Sequence, residues 1–319
     1  MQTFKHINAT TVDQAATALK DGKAALVAGG TDLLGILKDA VLPTYPETLV
    51  NLKTIASLDS ISDDNSGLKI GSLVKLSSIA RHATIQEKFT ALAQAAGAVG
   101  SPDLRNMGTI GGNICQQVRC WYYRASGNYF NCLRKTGNTC YAITGDHRYH
   151  SIFGAASGCI AVNPSDVAPA LVAMGASIKT NKRTIAAQDF FVPTGTGTAL
   201  ASDEIVTEVQ VPALPTGAKS AFVKFAARKS IDFPIANCAA VITQSGGAVT
   251  AASIVLNAVA GAPRLATTAE TYLVGKTITE DSAQAAGDAA VEAAAAFSGN
   301  KYIVQIARTM VKRAILACK

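Results

Sequence analysis

The sequence predicts an α+β chain in two parts, and three observations carry that prediction. Helical and strand periodicities alternate through the first half, then give way to short strands that close on two long helices. A stretch bearing Pro and Gly, ALPTGAKS at 213–220, separates two periodic regions. A length of 319 residues leaves room for about two domains, each able to bury a core without staples.

The elements follow in order. TVDQAATALKDG (11–22) reads as a helix, with Thr11 or Asp13 near the cap, apolar spacing from Val12 to Leu19, and Gly22 at the stop. AALVAGG is a short buried strand running into a glycine turn, and TDLLGILKD returns to helical spacing. TLVNL (48–52) and LKIGSLV (68–74) read as strands; KLSSIARHA (75–83) and FTALAQAAGAVG (89–100) read as helices. DVAPALVAMGA (166–176) is a helix with Pro169 in its first turn, where a missing N–H is tolerated. SIKT, RTIAA and EIVTEVQVP (204–212) are strands, the last alternating with period two. Beyond the boundary, strands are expected at 221–228, 237–244 and 248–258. The closing helices are EDSAQAAGDAAVEAAAAF and KYIVQIARTMVKRAILACK, the second carrying Ile303, Ile306, Met310 and Ala314 on one face.

Apolar residues make up 49% and charged residues 16% of the chain, against about 25% charged in an ordinary globular protein. So little charge implies a surface covered by core or by partner subunits, an inference that the abundant alanine weakens. No apolar run reaches the ~18 residues of a membrane helix, and MQTFKHINATTVDQ lacks the basic-then-apolar order of a secretory leader. A cytoplasmic location is therefore expected, where thiols stay reduced; the odd count of seven cysteines then points to metal chemistry rather than disulfides. The net charge of +7 is dispersed without a Lys/Arg block, which argues against nucleic acid and suits an anionic cofactor or thiolate charge.

Two glycine turns are candidate anion cradles. VAGGTDLL places Gly29 and Gly30 between a strand and a helix start, where backbone amides can meet a phosphate unobstructed by β-carbons. It is not G-x-G-x-x-G, and alone it reads more readily as a plain tight turn. MGTIGGNI (107–114) repeats the ingredients about 80 residues later, and the two together could hold the two phosphates of one dinucleotide.

Four cysteines lie in one segment. Cys120, Cys132, Cys140 and Cys159 are separated by eleven, seven and eighteen residues. That spacing matches neither zinc ribbons nor compact ferredoxins, so spacing alone leaves zinc, an iron–sulfur cluster and free thiols open. Arg119, Arg124, Arg134, Lys135 and Arg148 crowd the segment and favour thiolates, while Trp121, Tyr122, Tyr123 and Tyr129 supply a wall against solvent. Cys238 and Cys318 sit in apolar patterns and read as inert buried thiols. His147 and His150 stand three apart without a helix to align them, and read as structural.

LVAGGTDLL, RNMGTIGGNI, NPSD, DEIVTEVQVP and SAFVKFAARKSIDFPIANCAAVI together resemble the FAD-binding (medium) subunit of the molybdenum hydroxylases, the xanthine dehydrogenase, carbon monoxide dehydrogenase and aldehyde oxidoreductase family. The resemblance implies a two-part FAD-binding fold of the vanillyl-alcohol oxidase (PCMH) type over 1–214, with subdomains of about 1–55 and 56–214, and an α+β C-terminal domain over 215–319 like that of CO dehydrogenase flavoproteins. It implies FAD contacts at Val27, Ala28, Gly29, Gly30, Thr31, Asp32, Leu33, Thr109, Gly111, Gly112, Asn113, Asp166, Val206 and Lys224. For Lys224 a solvated strand lysine is the competing reading; where this chain has Asn163, some relatives carry His. Members such as 4-hydroxybenzoyl-CoA reductase and some bacterial aldehyde oxidoreductases carry an insertion here that holds a [4Fe–4S] cluster. The match implies insertion limits of 115–160 and ligands Cys120, Cys132, Cys140 and Cys159, with Cys115 in reserve for the last.

The function implied is an oxidoreductase subunit for electron transfer. Its partners would be a large molybdopterin-binding catalytic subunit and a small subunit with two [2Fe–2S] clusters, a dimer of heterotrimers being one such assembly, together with an external electron acceptor. Export of the folded complex on another subunit's signal would be compatible with that assembly. Two other readings compete: a zinc-stapled docking module, which leaves the glycine turns unexplained, and an autonomous FAD oxidase, which leaves the cysteines unexplained. FFVPTGTG (190–197) is expected to approach the flavin, with Phe191 as gate.

Overall fold

The computed structural model describes residues 1–64 and 66–319. Three sheets organise them. The first is parallel: β1 (Lys5–Asn8), β2 (Ala24–Val27) and β3 (Thr48–Asn51) lie in the order β1–β3–β2. Helix Val12–Leu19 makes the crossover from β1 to β2, capped by Thr11, whose hydroxyl accepts from the Gln14 N–H at 3.1 Å. Ala15 and Leu19 pack with Val50, Leu52 and Leu73, and Gly22 ends the turn at φ +71°. β1 has no signature in the sequence because KHIN is nearly all exposed and lacks alternation.

The second sheet is antiparallel. β4 (Ile61–Asp64), β5 (Gly67–Gly71), β6 (Ser177–Thr180), β7 (Thr184–Ala186) and β8 (Val206–Pro212) lie in the order β4–β5–β8–β6–β7. The third is also antiparallel, in the order β12–β11–β10–β9, formed by β9 (Ala218–Phe225), β10 (Ala236–Ser245), β11 (Ala248–Asn257) and β12 (Arg264–Leu265).

β10 is buried on both faces, which is why ANCAAVI reads as a continuous apolar run. Ala239 and Val241 join the large core that also contains Leu92 and Leu171, from helices Thr90–Gly97 and Val167–Ala173. Cys238, Ala240 and Ile242 face the other way, onto helices Thr267–Leu273, Glu280–Ala290 and Tyr302–Leu316. The third sheet is thus a wall shared by both halves of the chain. On the last helix Ile303, Met310 and Ala314 are buried as expected, and Ile306 half-buried. Cys238 and Cys318 are fully buried, and burial pushes both thiols up.

Several boundaries move. The helix expected over 75–83 stops at His82, whose backbone leaves the helical region (ψ 122°), and a second begins at Ala83. The helix expected from Glu280 to Phe297 ends at Ala290. Two short helices appear: Ile110–Ile114 within the stretch 107–114 read as a turn, and Pro102–Met107 just before it, where no element was expected. Their brevity hid them: five and six residues are too few to show a period.

The cysteine segment is a chain of short turns with a core of its own, Ile36, Val41, Val118, Tyr123, Cys132 and Ala161. It is anchored to the C-terminal layer by the Asn300 side-chain amide, which donates to the His150 and Ser151 carbonyls at 3.0 Å each, and by the Ile152 N–H on the Val259 carbonyl at 3.0 Å. No helix among the described residues is long and apolar enough to cross a membrane.

Gly287 is where the last two helices touch. A β-carbon there would stand 2.5 Å from the Arg308 carbonyl oxygen, whereas one at exposed Gly35 in helix Leu33–Lys38 would meet nothing within 4 Å. Gly287→Ala is therefore expected to lower stability by about 1–3 kcal/mol, and Gly35→Ala to raise it by up to about 1 kcal/mol. Urea denaturation of both variants checks the pair; a neutral Gly287→Ala would contradict the close approach.

Candidate functional site

The first glycine turn opens a cleft. Strand β2 ends at Val27, Gly30 turns at φ +73°, and helix Leu33–Lys38 begins after Asp32. Gly29 must be glycine, because a β-carbon there would lie 2.1 Å from the Met107 carbonyl oxygen. Among the described residues the amides of Gly29, Gly30, Thr31, Asp32 and Leu33 donate to no protein acceptor, leaving five consecutive donors for an anion. Val27 through Leu33 line a cavity of about 310 Å³ with Thr109, Gly112 and Cys115. Thr31, Asp32, Thr109 and Gly112 are shared with a neighbouring cavity of about 210 Å³ that adds Asn113, Asp166, Ile231 and Phe233. The two form one continuous cleft.

The second glycine turn works differently from the first. The amides of Ile110, Gly111, Gly112 and Asn113 are all committed, to Val74 O, Ser72 O, Thr109 Oγ1 and Thr109 O. Two equivalent phosphate cradles are therefore not what the chain builds. The first turn keeps free amides; the second contributes a bare wall at Gly112 and the Asn113 side chain. Asn113 Oδ1 accepts from Ser165 Oγ at 2.5 Å, and its Nδ2 finds no protein acceptor among the described residues.

Asp166 and Lys224 meet each other. Lys224 Nζ donates to Asp166 Oδ2 at 2.7 Å, and Asn237 Nδ2 to Oδ1 at 2.8 Å, all largely buried. Lys224 also donates to the Ala98 carbonyl at 2.9 Å, so it is not a solvated lysine and keeps one N–H beyond these two bonds. The pair joins the segment after the cysteines to strand β9. Gly111, against Ser72, and Val206, buried in β8 beside Thr180, line neither cavity.

Asp32 lines both cavities, but its carboxylate oxygens are already engaged. Its Oδ1 pairs with Arg119 and Arg124, each at 2.8 Å, and its Oδ2 accepts from the Gln117 N–H at 2.9 Å. Burial pulls Arg119 down to about 10 while Asp32 raises it, and its guanidinium stacks 4.5 Å from the Phe233 ring. Phe191 lies in the main core edge-on to Phe190 at 5.1 Å and lines no part of the cleft, so the gate expected there is absent. What overhangs the cleft instead is the loop holding Ile231, Asp232 and Phe233, with Ile231 at φ +70°, a strained setting for a β-branched residue. KSIDFP lies in a stretch that carries the family resemblance, but nothing in its residues placed it over the cleft.

Cys120, Cys132, Cys140 and Cys159 line one cavity, with Tyr122, Tyr123, Tyr141 and Arg134. Cys115 lies in the cleft instead. Among the described residues no three His, Cys, Asp or Glu side chains converge as a single metal ion requires; the thiols surround a space. Donors aim at the sulfurs: Arg134 Nε and the Ala161 N–H reach Cys159 Sγ at 3.3 and 3.4 Å, and His150 Nε2 stands 3.2 Å from Cys120 Sγ. The Cys140 thiol donates to Cys159, which with Arg134 brings Cys159 down to about 5 and drives Cys140 far up. Burial pushes Cys120 up to about 11 and lowers His150 to about 4, so that imidazole is neutral. His147 is structural, with Nδ1 3.2 Å from the Ala142 carbonyl and Nε2 accepting from the Gly299 N–H at 3.1 Å.

Comparison with known proteins adds the following. The family described as FAD binding domain in molybdopterin dehydrogenase matches residues 2–214, and the CO dehydrogenase flavoprotein C-terminal domain matches 221–318. The aldehyde oxidoreductase FAD-binding subunit of Escherichia coli is 33% identical over 76% of this chain and 78% of its own. The carbon monoxide dehydrogenase medium chain of Hydrogenophaga pseudoflava is 30% identical over 92% of this chain and 88% of its own. A solved carbon monoxide dehydrogenase from the same organism superposes with a TM-score of 0.78 at 27% identity, covering 99% of this chain and 97% of that one.

Two predictions follow from the geometry. Asp32→Asn leaves two neighbouring guanidiniums short of their counter-charge, so it should cost about 1–3 kcal/mol and open residues 115–160 to trypsin; an unchanged digestion pattern would count against the junction. Asp166 is pushed up to about 6 by burial, with Lys224 and Asn237 opposing, above the ~3.9 of an unfolded chain. The folded state then keeps the proton longer, so stability is greatest below about pH 4 and falls as pH rises through about 6, by up to ~3 kcal/mol. Urea titrations of the wild type and Asp166→Asn across that window should diverge in slope; parallel slopes would refute it.

Proposed function

The chain belongs to the family of FAD-binding subunits of the molybdopterin dehydrogenases, and from that premise we propose that it is the electron-transfer flavoprotein component of such a complex, carrying FAD and an additional [4Fe–4S] cluster. Substrate chemistry takes place on a large molybdopterin subunit, electrons arrive through a small subunit with two [2Fe–2S] clusters, and they leave to an external acceptor. The division in this reading is 1–214 for the flavin and 215–319 for the C-terminal domain, and the compartment is the cytoplasm, a reading that seven free thiols suit.

One observation carries the flavin: five unpartnered amides from Gly29 to Leu33 at the head of a cleft. They suit a pyrophosphate, which needs several donors and no β-carbon in the way. Asn113 Nδ2 suits a ribityl or ribose oxygen. Asp166, already committed to Lys224 and Asn237, holds the cleft's floor in place rather than reaching for the ligand.

The cluster rests on the donor set. Four thiols surround one space, Arg134 Nε and the Ala161 N–H donate to Cys159, and His150 Nε2 stands 3.2 Å from Cys120. The space is about 20 Å³, less than a cube fills, so the turns carrying the thiols must spread to take one; what supports the cluster is the set of four thiols, which is the ligand set such a cluster uses. When bound, FAD passes electrons in pairs or singly and the cluster passes them singly. The chain's part is to hold both in fixed places, to keep water from the sulfurs with Tyr122, Tyr123 and Tyr141, and to join the two sites through Asp32.

Anaerobic reconstitution should give about one FAD and four irons per chain, and Cys132→Ser should keep the FAD and lose iron. Zinc without flavin would favour the docking module, flavin without iron the autonomous oxidase, and normal iron in Cys132→Ser would remove that ligand.

A further inference from the structure

Lys135 is 2% exposed, and its ammonium has no hydrogen-bond partner among the described residues. A buried cation with no acceptor is a rare and costly arrangement. The Tyr123 ring face, 5.3 Å away, offsets part of the cost. Its neighbours in the turn, Leu133 and Arg134, and the Tyr123 ring beneath its ammonium all line the four-cysteine cavity. Burial pushes Lys135 toward its neutral form, and negative charge on the sulfurs of Cys132 and Cys120 is what opposes that. The short 3₁₀ turn Leu133–Lys135 fixes this placement, because Lys135 N–H donates to the Cys132 carbonyl at 2.8 Å and Thr136 then turns back at φ +71°. The other basic residues of the segment are already used: Arg119 and Arg124 on Asp32, Arg148 on Asp146, and Arg134 on the Pro193 and Gly195 carbonyls as well as Cys159.

We propose that Lys135 is the charge-compensating residue of the four-cysteine cavity: its buried ammonium neutralises the anion that the thiolates form there, and so sets the reduction potential of the cluster. This rests on the cluster reading and deepens it. Reduction adds one electron, and so one negative charge, to an already anionic site; a fixed cation beside it favours that step and moves the potential upward. In the empty cavity the same ammonium is a liability, because nothing balances it.

The two consequences have opposite signs, and one set of variants reads both. Wild type, Lys135→Met and Lys135→Arg are purified without cluster, melted, then reconstituted anaerobically with ferrous iron and sulfide. The expected result is a higher Tm for cluster-free Lys135→Met than for wild type. After reconstitution, that variant should show a midpoint potential more negative than wild type, or lower iron and sulfide content, with Lys135→Arg restoring the wild-type midpoint. Iron in the wild type with an identical midpoint and iron content in Lys135→Met would overturn the role of Lys135 while leaving the cluster. A cluster-free Lys135→Met that melts lower than wild type would equally contradict an unbalanced buried charge. Wild type that takes up neither iron nor sulfide would refute the cluster itself.

Discussion

The Asp32 carboxylate is the junction on which the arrangement of the two sites depends. It sits at the end of the first glycine turn, yet it accepts from Arg119, Arg124 and the Gln117 amide of the cysteine segment. Three donors on one partly buried carboxylate make a geometry that water cannot reproduce, and charge-assisted bonds are the strong ones. Because the turn must present its amides to the cleft, and the segment must hold four thiols beside it, a movement of either shifts the other. Arg119 extends the link further, stacking on Phe233 of the loop that overhangs the cleft. Cleft, cysteine cavity and C-terminal loop therefore meet through one acid and one base.

Much of this was legible in the sequence, for reasons that differ by element. The amphipathic helices at 12–19 and 302–316 and the apolar run of β10 announced themselves because their periods are set by burial on one face or on both. The first glycine turn was legible because Gly29 is forced by the Met107 carbonyl and Gly30 by its φ. The second turn was half legible: its composition marks a close approach, at Gly111 against Ser72, but composition does not reveal which amides are already spent. The direction of a carboxylate is likewise invisible in one dimension. Asp32 and Asp166 were read as ligand contacts, and each proved to be bound by basic residues distant in sequence. The exposed KSIDFP loop has no period and entered the reading only within a stretch carrying the family resemblance; its place over the cleft is what the structure adds.

The chain handles its buried cations in two ways, and the contrast is informative. Lys224 has Asp166, a backbone carbonyl and a neighbouring Asn237 that completes the acid's hydrogen bonding. That is a buried pair with its remaining polar groups satisfied, the form in which such pairs are tolerated, and it fastens β9 to the segment that leaves the cysteines. Lys135 has an aromatic face and no acceptor. Breaking a pair like the first by removing one partner leaves what is seen at the second: a charge in a poorly solvating place. A protein with 16% charged residues has few to spare for such a position, and the ammonium stands over Tyr123, a ring that lines the space the four sulfurs face. If those sulfurs remained thiols, the lysine would be a net loss to the fold; if they are ligands to an anionic group, the same residue becomes the counter-ion that lets the anion be buried at all. On the proposed function, the burial of Lys135 follows from the anion in the cavity and not from packing around it.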